Sequence, residues 1–313
     1  MEDFPRTLME LEQRFSSEQS CREYLYKLRW PKGFQCKCCG CAKCWPLNRG
    51  LHECSKCGYQ VSITSGTIFQ DTKKPLILWF RAVWHITSQQ DGANALGLQR
   101  ILGFGSYRTA WSWLHKLRRA MVRPGRDRLT GPVEVDETYI GGKKAGKRGR
   151  GAEGKTLVVI AVELVSPNKI GRIRLMQVPN ASAKSLENAV QQTVEPGNRV
   201  NTDGWNGYNR LNELGYFRNK VRDRANVGED MLPACHRVAG LLQRWLLGML
   251  QGAASHEHLP YYLDEFTFRF NRRTSRHRGK LFYRLLQQAM AVDPVPIKSM
   301  IKHVRGQKPH YKM

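Results

Sequence analysis

Cysteines at metal-ligand spacing are the first residues in this 313-residue sequence with a definite chemistry. Seven of the nine cysteines fall between positions 36 and 57. Two C-x-x-C pairs in that stretch end in Cys-Gly and are separated by residues 40–53, 14 in all: Cys36/Cys39 and Cys54/Cys57. Two pairs at this separation predict a tetrahedral zinc site of four thiolates in a small ribbon. Because four thiolates leave no open position, we expect this zinc to be structural.

The choice among the cysteines depends on the glycine that follows each chosen pair, since glycine permits the tight turn such a knuckle needs. Other pairs share the spacing but lack the glycine: Cys38/Cys41 and Cys41/Cys44. Clustered cysteines in a reducing compartment favour a metal site over disulfides.

A group of carboxylates is the second chemical feature. Glu134, Asp136 and Glu137 crowd into the stretch GPVEVDETYIGGK, although the chain carries 51 Lys and Arg against 26 Asp and Glu, a net charge of +25. Alternation with valines predicts a strand, in which Glu134 and Asp136 share one face and Glu137 points the other way. Another acid, Asp203, ends the short strand-like run RVNTDGW.

The excess of positive charge indicates a polyanion partner, either nucleic acid or an anionic membrane surface. No apolar run approaches the roughly 20 residues that span a bilayer. The mixed, acidic segment MEDFPRTLMELEQRF is unlike a signal peptide. We therefore expect a cytoplasmic protein that binds nucleic acid and has no membrane partner.

Three short helices are expected after the cysteine cluster, in KPLILWFRAVWHI, in ANALGLQRILG and from Ser106 onward, because apolar residues recur at helical spacing. The first has Pro75 in its first turn, and Ser106 can cap the third. The stripe of the third helix expected to face outward carries Arg108, Ser112, His115 and Arg119. The three helices resemble a helix-turn-helix, in which Arg108, His115 and Arg119 contact DNA. A helical bundle with a solvated basic face explains the same pattern.

The order of elements after residue 129 has the layout of a ribonuclease-H-like fold. Three strand-like runs, PVEVDETYI, TLVVIAVEL and GRIRLMQV, precede the helix SAKSLENAVQQTV and the strand that ends in Asp203. We expect an α/β domain, a mixed sheet with flanking helices, behind the zinc ribbon and a small helical DNA-binding segment. Polynucleotidyl transferases on this fold hold two divalent ions with carboxylates from the first and fourth strands and a ligand from a later helix.

Three phrases make the resemblance specific. VDETYIGGK, TDGWNGY and YLDEFTFRFNRR, in this order behind a zinc ribbon, resemble the core of bacterial insertion-sequence transposases of the ISXO type, from about residue 31 to about 285. The resemblance implies a DNA transposase that cuts element ends and joins the 3′-OH to target DNA, using Mg²⁺ or Mn²⁺. It also implies double-stranded DNA partners, the terminal inverted repeats and the target, and at least a homodimer, since both ends meet in one complex.

The same resemblance assigns the ligands of two ions about 4 Å apart. Asp136 would bridge both ions, and Asp203 and His236 would each hold one. Family members often have Glu or Asn near the start of the later helix, but CHRVAGLLQRWLLGML contains no acid, and His236 lies at that position, 33 residues after Asp203 (236 − 203). Imidazole suits Mn²⁺ better than Mg²⁺, or His236 could position a water. Glu229 and Asp230 are competing third ligands.

Basic residues in three segments of the core are expected to contact the DNA backbone. They lie in the Gly-rich loop KKAGKRGRGAEGK, on one stripe of the later helix with Gly240 and Gly248, and in RFNRRTSRHRGK. They are Lys143, Lys144, Arg237, Arg244, Arg272 and Arg273. A solvated basic surface is the alternative interpretation. Asp264 and Glu265, in an amphipathic helix, receive no catalytic role.

The expected organisation has five parts: a helical lead (1–30), the zinc ribbon (31–66), a helix-turn-helix-like segment (67–128), the ribonuclease-H-like core (129–285) and a basic tail (286–313). A DNA-binding regulator with an inactive core is an alternative function, which the His at the third ligand position favours. A nuclease that cuts without joining is another.

Overall fold

Two structural units make up the chain, and the first is built from both ends of the sequence. The computed structural model describes residues 2–123, 125–141, 155–166, 169–221, 231–250 and 257–302. One unit comprises residues 1–125 and 275–313, and the other comprises residues 126–274. Within the described ranges, no helix is long and apolar enough to cross a membrane.

The first unit consists of helices and a small antiparallel sheet. Its helices are α1 (Leu8–Arg14), α2 (Glu18–Arg29), α3 (Leu76–Ser88), α4 (Ala95–Leu102), α5 (Tyr107–Ala120), α9 (Arg278–Ala289) and α10 (Ile297–Lys302). Its strands, in sheet order, are β1 (Cys44–Leu47), β2 (Leu51–Cys54) and β3 (Gln60–Ser62). The side chains of Thr7 and Ser17 accept backbone N–H bonds and so fix the starts of α1 and α2.

Buried aromatic rings join the two ends of the sequence within this unit. Phe80 of α3 packs edge-on against Phe15, at 4.7 Å between ring centroids, and against Phe282 of α9, at 5.7 Å. The amide of Ile68 also donates to the carbonyl of Ala289. The expected end of the core at residue 285 therefore falls inside a helix that packs within the first unit.

Helices α3 to α5 form at the expected places, although their caps differ in detail. Pro75 stands at the N-cap of α3 rather than in its first turn. Asn94 caps α4, and Gly103 ends it with a φ of 63°, a left-handed conformation that glycine adopts without strain. Trp79 of α3 stacks on Trp113 of α5 at 3.6 Å between centroids, which fixes these two helices against each other.

The prediction that a basic stripe of α5 faces outward is wrong at Ser112 and His115. His115 and Ser112 are fully buried, Arg119 is half-buried, and only Arg108 of the four is exposed. Trp111 contacts the ring of His115 at 4.2 Å. Because neighbouring elements cover this side of α5, His115 is a core residue and is not available to DNA.

The second unit is a five-stranded sheet with helices on both faces. Its strands are β4 (Val133–Ile140), β5 (Thr156–Ser166), β6 (Lys169–Val178), β7 (Arg199–Thr202) and β8 (Phe217–Lys220). Its helices are α6 (Ala183–Thr193), α7 (Pro233–Leu250) and α8 (Leu259–Phe270), with a 3-10 helix at Asn206–Leu211. The strand order is β6-β5-β4-β7-β8. Strands β6, β5 and β4 are antiparallel, and β7 and β8 run parallel to β4.

Strand β5 shows why the sheet is covered on both sides. Alternate residues of its apolar run enter different cores: Val158, Ile160 and Val162 pack with α7 and α8, whereas Leu157 and Val159 pack with α6. This alternation follows from the period of two along a strand. The mixed sheet, the antiparallel first three strands and the helix before β7 confirm the ribonuclease-H-like class. The edge strand β8 was not expected from the sequence.

Candidate metal centres and nucleic-acid interface

The four cysteines chosen for the zinc ribbon come together in the structure. The sulfur atoms of Cys36, Cys39, Cys54 and Cys57 all lie within 4.8 Å of one another. Cys36 and Cys57 are 3.7 Å apart, and Cys39 and Cys54 are 3.5 Å apart. Tetrahedral zinc with Zn–S bonds of about 2.3 Å places sulfurs about 3.8 Å apart. The cluster therefore has the size of a four-thiolate zinc site.

The backbone around each cysteine pair forms the turn that the following glycine permits. Gly40 and Gly58 have φ values of 72° and 70°, and each donates its N–H to the carbonyl of the first cysteine of its pair. Burial raises the pKa of the Cys36 thiol, but hydrogen bonds from N–H groups of the knuckle and from neighbouring thiols outweigh burial and lower the pKa to about 7. A thiol that ionises near neutral pH is a ready metal ligand.

Helix α2 belongs to the ribbon physically. Tyr26 and Trp30 pack against its buried core, and Arg29 donates to the carbonyls of Ile63 and Ser65. The helical lead and the ribbon, which the sequence separated at residue 31, therefore share a core.

The acidic cluster on β4 divides between the two faces of the sheet. Asp136 faces α7, and its Oδ2 lies 3.3 Å from Nε2 of His236. Glu137 points to the other face, as its place in the strand predicts, and accepts a hydrogen bond from the buried Tyr208 hydroxyl at 2.8 Å. Glu134 is buried on the same side as Asp136. The three neighbouring acids thus have three different environments.

Asp203 follows β7, the parallel neighbour of β4, and its loop is tightly held. Its Oδ1 accepts the N–H of Trp205 at 3.0 Å. Arg218 of β8 donates through Nη2 to the carbonyls of Asp203 and Trp205, both at 3.1 Å, and through Nε to Thr202 at 3.0 Å. One guanidinium group therefore holds the Thr202 side chain and the backbone carbonyls of Asp203 and Trp205.

Burial and neighbouring negative charge perturb Asp136. Burial raises its pKa the most, the charges of Glu137 and Asp203 raise it further, and the Glu137 N–H and His236 oppose the shift, leaving the pKa at about 6. Asp203 is therefore close enough for its charge to act on Asp136. Mutual repulsion among partly buried carboxylates is relieved by a bound cation.

The spread of the three expected ligands is wider than that of the cysteine cluster. Among the described residues, the four cysteines are the group whose ligand atoms all lie within 4.8 Å of one another. Asp136 and His236 are paired, while Asp203 stands farther from the set. Glu229 and Asp230, the competing ligands, lie outside the described residues.

The basic residues expected to bind DNA fall into different situations. Arg237 and Arg244 are exposed on α7, as are Gly240 and Gly248 between and beyond them. Burial and the charge of Arg237 lower the pKa of Arg273, so these two cations are close together. Lys143 and Lys144 lie outside the described residues.

Arg272 and Arg273 have structural contacts within the unit. Arg272 stacks on the Phe268 ring at 4.0 Å and donates to the Phe268 carbonyl. Arg273 stacks on Phe270 at 4.2 Å and donates to the carbonyls of Phe270, Gly171 and Ile170. Arg273 therefore ties the end of α8 to β6, while Arg272 packs along α8 itself.

Two residues around the acidic centre were missed by sequence reasoning. Arg218 holds the Asp203 loop, and Glu134 accepts N–H bonds from the start of α7. Both act across a long separation in sequence, so no local pattern marks them. The proximity of Glu134 to Asp136 was visible, but its partner was not.

The sheet, its flanking helices and the cysteine ribbon define a ribonuclease-H-like protein with an N-terminal zinc ribbon. Comparison with known families identifies it further. Residues 128–271 match the ISXO2-like transposase domain, and residues 16–60 match the transposase zinc-ribbon domain. The chain therefore carries an ISXO2-like transposase domain behind a transposase zinc-ribbon domain. The ribbon match includes α2, in agreement with its packing.

Individual relatives are more distant. The chain is 25% identical over 291 residues to an uncharacterized protein in transposable element ISH50 of Halobacterium salinarum, covering 85% of this chain and 94% of the relative. It is also similar to the catalytic core domain of BIV integrase, with 16% identity and a TM-score of 0.33 over 48% of this chain and 89% of the integrase chain.

Proposed function

We propose that this transposase cuts the ends of an insertion sequence and joins the released 3′-OH to target DNA, with its centre at Asp136, Asp203 and His236. The observation that carries the proposal is the 3.3 Å pairing of Asp136 on β4 with His236 on α7. Asp203 follows the strand beside β4, and its charge acts on Asp136. These observations support a common centre for the three residues in the second unit.

The donor atoms fit divalent cations. Two carboxylates and an imidazole are ligands that Mn²⁺ and, less readily for the imidazole, Mg²⁺ accept. Burial and, after it, the charges of Glu137 and Asp203 raise the pKa of Asp136, and a bound cation would favour its ionised form. Asp136, Asp203 and His236 would hold the ions. Bound ions would supply charge neutralisation and an activated nucleophile.

The chain's own residues would orient the reactants. In the first step, the oxygen of water bonds to phosphorus and the bond from phosphorus to the 3′ oxygen breaks, so the element end gains a 3′-OH. In the second, that 3′ oxygen bonds to a target phosphorus, and the displaced target 3′ oxygen takes up the proton. Arg218 holds the Asp203 loop during both steps. Arg237 and Arg244, exposed on the helix that carries His236, contact phosphates nearby.

The zinc ribbon and helices α3 to α5 are the proposed readers of the terminal inverted repeats. Arg108 remains an exposed cation at the start of α5. Because two element ends must be cut and joined together, the DNA complex is proposed to contain at least two copies of the chain.

A cleavage assay tests the proposal. Wild-type protein, Asp136→Asn and Asp203→Asn are incubated with a plasmid carrying the cognate ends in Mg²⁺ and in Mn²⁺, with Glu213→Gln as an exposed carboxylate control in the same unit. Wild type and Glu213→Gln are expected to nick the ends, and the Asp variants only to bind them.

The alternatives give different results in the same assay. Wild-type protein that binds the ends without nicking them in either metal supports a DNA-binding regulator. Cleavage without joining or end preference supports a nuclease.

A further inference from the structure

The first turn of α7 begins at Pro233, directly after a residue whose side chain cannot accept a hydrogen bond. Apolar Leu232 precedes the helix, and Pro233 has no N–H to donate. The His236 N–H closes the first turn on the Leu232 carbonyl at 3.0 Å. The N–H groups of Ala234 and Cys235 therefore need acceptors from outside the helix, as the first N–H groups of any α-helix do.

A carboxylate from the sheet supplies those acceptors. Oε2 of Glu134 accepts the N–H of Ala234 at 2.9 Å and the N–H of Cys235 at 3.0 Å. The Glu134 side chain is buried and comes from β4, about a hundred positions earlier in the chain. A negative charge at this end of a helix also interacts favourably with the helix dipole.

This contact and the Asp136–His236 pair attach α7 to β4 at two successive points on one face. Glu134 and Asp136 are two residues apart on the strand, about 6.6 Å along it. Each residue along a helix turns about 100°, so a slip of one position would swing His236 away from Asp136. The apolar face of α7 fixes the helix against the sheet, and the two polar contacts fix where its first turn stands on β4.

We infer that Glu134 is a positioning residue, which holds the start of α7 so that His236 faces Asp136. The inference rests on the proposed function for its catalytic consequence, but the structural part stands on the two hydrogen bonds. Glu134 is buried, so we expect it to contact neither DNA nor the reacting atoms.

Two measurements on the full-length protein test the inference. Hydrogen exchange reports the protection of the α7 amides, and single-turnover cleavage of end DNA in Mn²⁺ reports the rate. Glu134→Ala is expected to expose the Ala234 and Cys235 amides and to slow cleavage by about 10- to 100-fold, as a displacement of about 1 Å can do. Its affinity for end DNA should fall by much less than the cleavage rate.

Glu134→Gln separates charge from hydrogen bonding. Both N–H groups use the same carboxylate oxygen, and the amide oxygen of Gln can accept both, so this variant should keep most of the protection and of the rate. The control is Glu163→Gln. Glu163 lies on β5, the neighbour of β4, and its carboxylate accepts hydrogen bonds from Arg172 and Thr130. This control is expected to lower stability while leaving the cleavage rate and the α7 amides as in wild type.

The possible outcomes are distinct. The inference is overturned if Glu134→Ala cuts at the wild-type rate, or if its α7 amides remain as protected as in wild type. If wild type itself does not cut, the proposed function fails, and the exchange measurement still decides whether Glu134 holds the helix. If Glu134→Ala does not fold, Glu134→Asp, one methylene shorter, replaces it under the same criteria.

Discussion

Arg218 offers a sharp test of how the Asp203 loop is held. Within the part of the chain that the structure describes, its guanidinium donates four hydrogen bonds: to Thr202 at 3.0 Å, to Asn209 at 2.6 Å, and to the carbonyls of Asp203 and Trp205 at 3.1 Å each. Lysine offers a single nitrogen on a flexible stem and cannot reproduce this planar fork. Arg218→Lys should therefore keep the positive charge but lose most of these hydrogen bonds.

The magnitude follows from the contacts that are lost. A lysine nitrogen can retain one or two of the four hydrogen bonds, so two or three disappear. Each contributes about 0.5–1.5 kcal/mol net, which predicts a loss of about 1–4.5 kcal/mol in the free energy of unfolding. Arg218 holds the Asp203 loop through the carbonyls of Asp203 and Trp205. Loss of these bonds should therefore also slow cleavage by about tenfold or more.

Urea unfolding and single-turnover cleavage of end DNA measure the two effects. Arg210→Lys is the matched control, because Arg210 pairs with Glu213 on the exposed surface of the same loop region, and such pairs contribute little. The claim that Arg218 holds the Asp203 loop is refuted if Arg218→Lys is as stable and as active as Arg210→Lys.

Three further predictions concern the ribbon, the sheet and the third ligand. Metal analysis of the wild-type protein should give one zinc ion per chain, and Cys54→Ser should lose it. The exposed Cys38, outside the four-sulfur cluster, should be replaceable by Ser without loss of zinc; equal zinc content in the two variants would contradict the ligand choice. Burial raises the pKa of Glu163, but its bonds to Arg172 outweigh burial and lower the pKa to about 2. Ionised Glu163 therefore stabilises the fold above about pH 4.5, and this contribution is lost as the pH falls toward 2. One pKa unit corresponds to about 1.4 kcal/mol, and solvent screening around the half-exposed Arg172 reduces the contribution to about 1–2 kcal/mol. The stability of Glu163→Gln should therefore lack this pH dependence in acid unfolding. An acid-unfolding profile equal to that of wild type would contradict the role given to Glu163. His236→Glu should raise cleavage in Mg²⁺ relative to Mn²⁺, because it replaces nitrogen with oxygen; an unaltered metal preference would count against His236 as a ligand.

Local patterns predicted the elements of the fold well. The apolar run of β5, the alternation in β4 and the glycines after Cys39 and Cys57 each encode their conformation within a few residues. The placement of Cys36, Cys39, Cys54 and Cys57 follows from the same local rule, repeated twice. Periodicity and turn chemistry are properties of short segments, so a sequence is sufficient to find them.

The misses depend on contacts between distant segments. The stripe pattern of α5 could not show which elements would cover His115, and α9 joins the first unit through packing of Phe282 on Phe80. Glu134 and Arg218 act through partners that are remote along the chain or set by the loop conformation. Tertiary packing decides such contacts, and no periodicity records them.

The joining reaction is the most direct test of the central claim, that Asp136 and Asp203 form a centre for DNA strand transfer. The measurement is transfer of a pre-cut element end, bearing a free 3′-OH, into a target plasmid in Mn²⁺. The account predicts joined product with wild type, and binding of the end without joined product with Asp136→Asn and with Asp203→Asn. Joining by either Asp variant at the wild-type rate would contradict it.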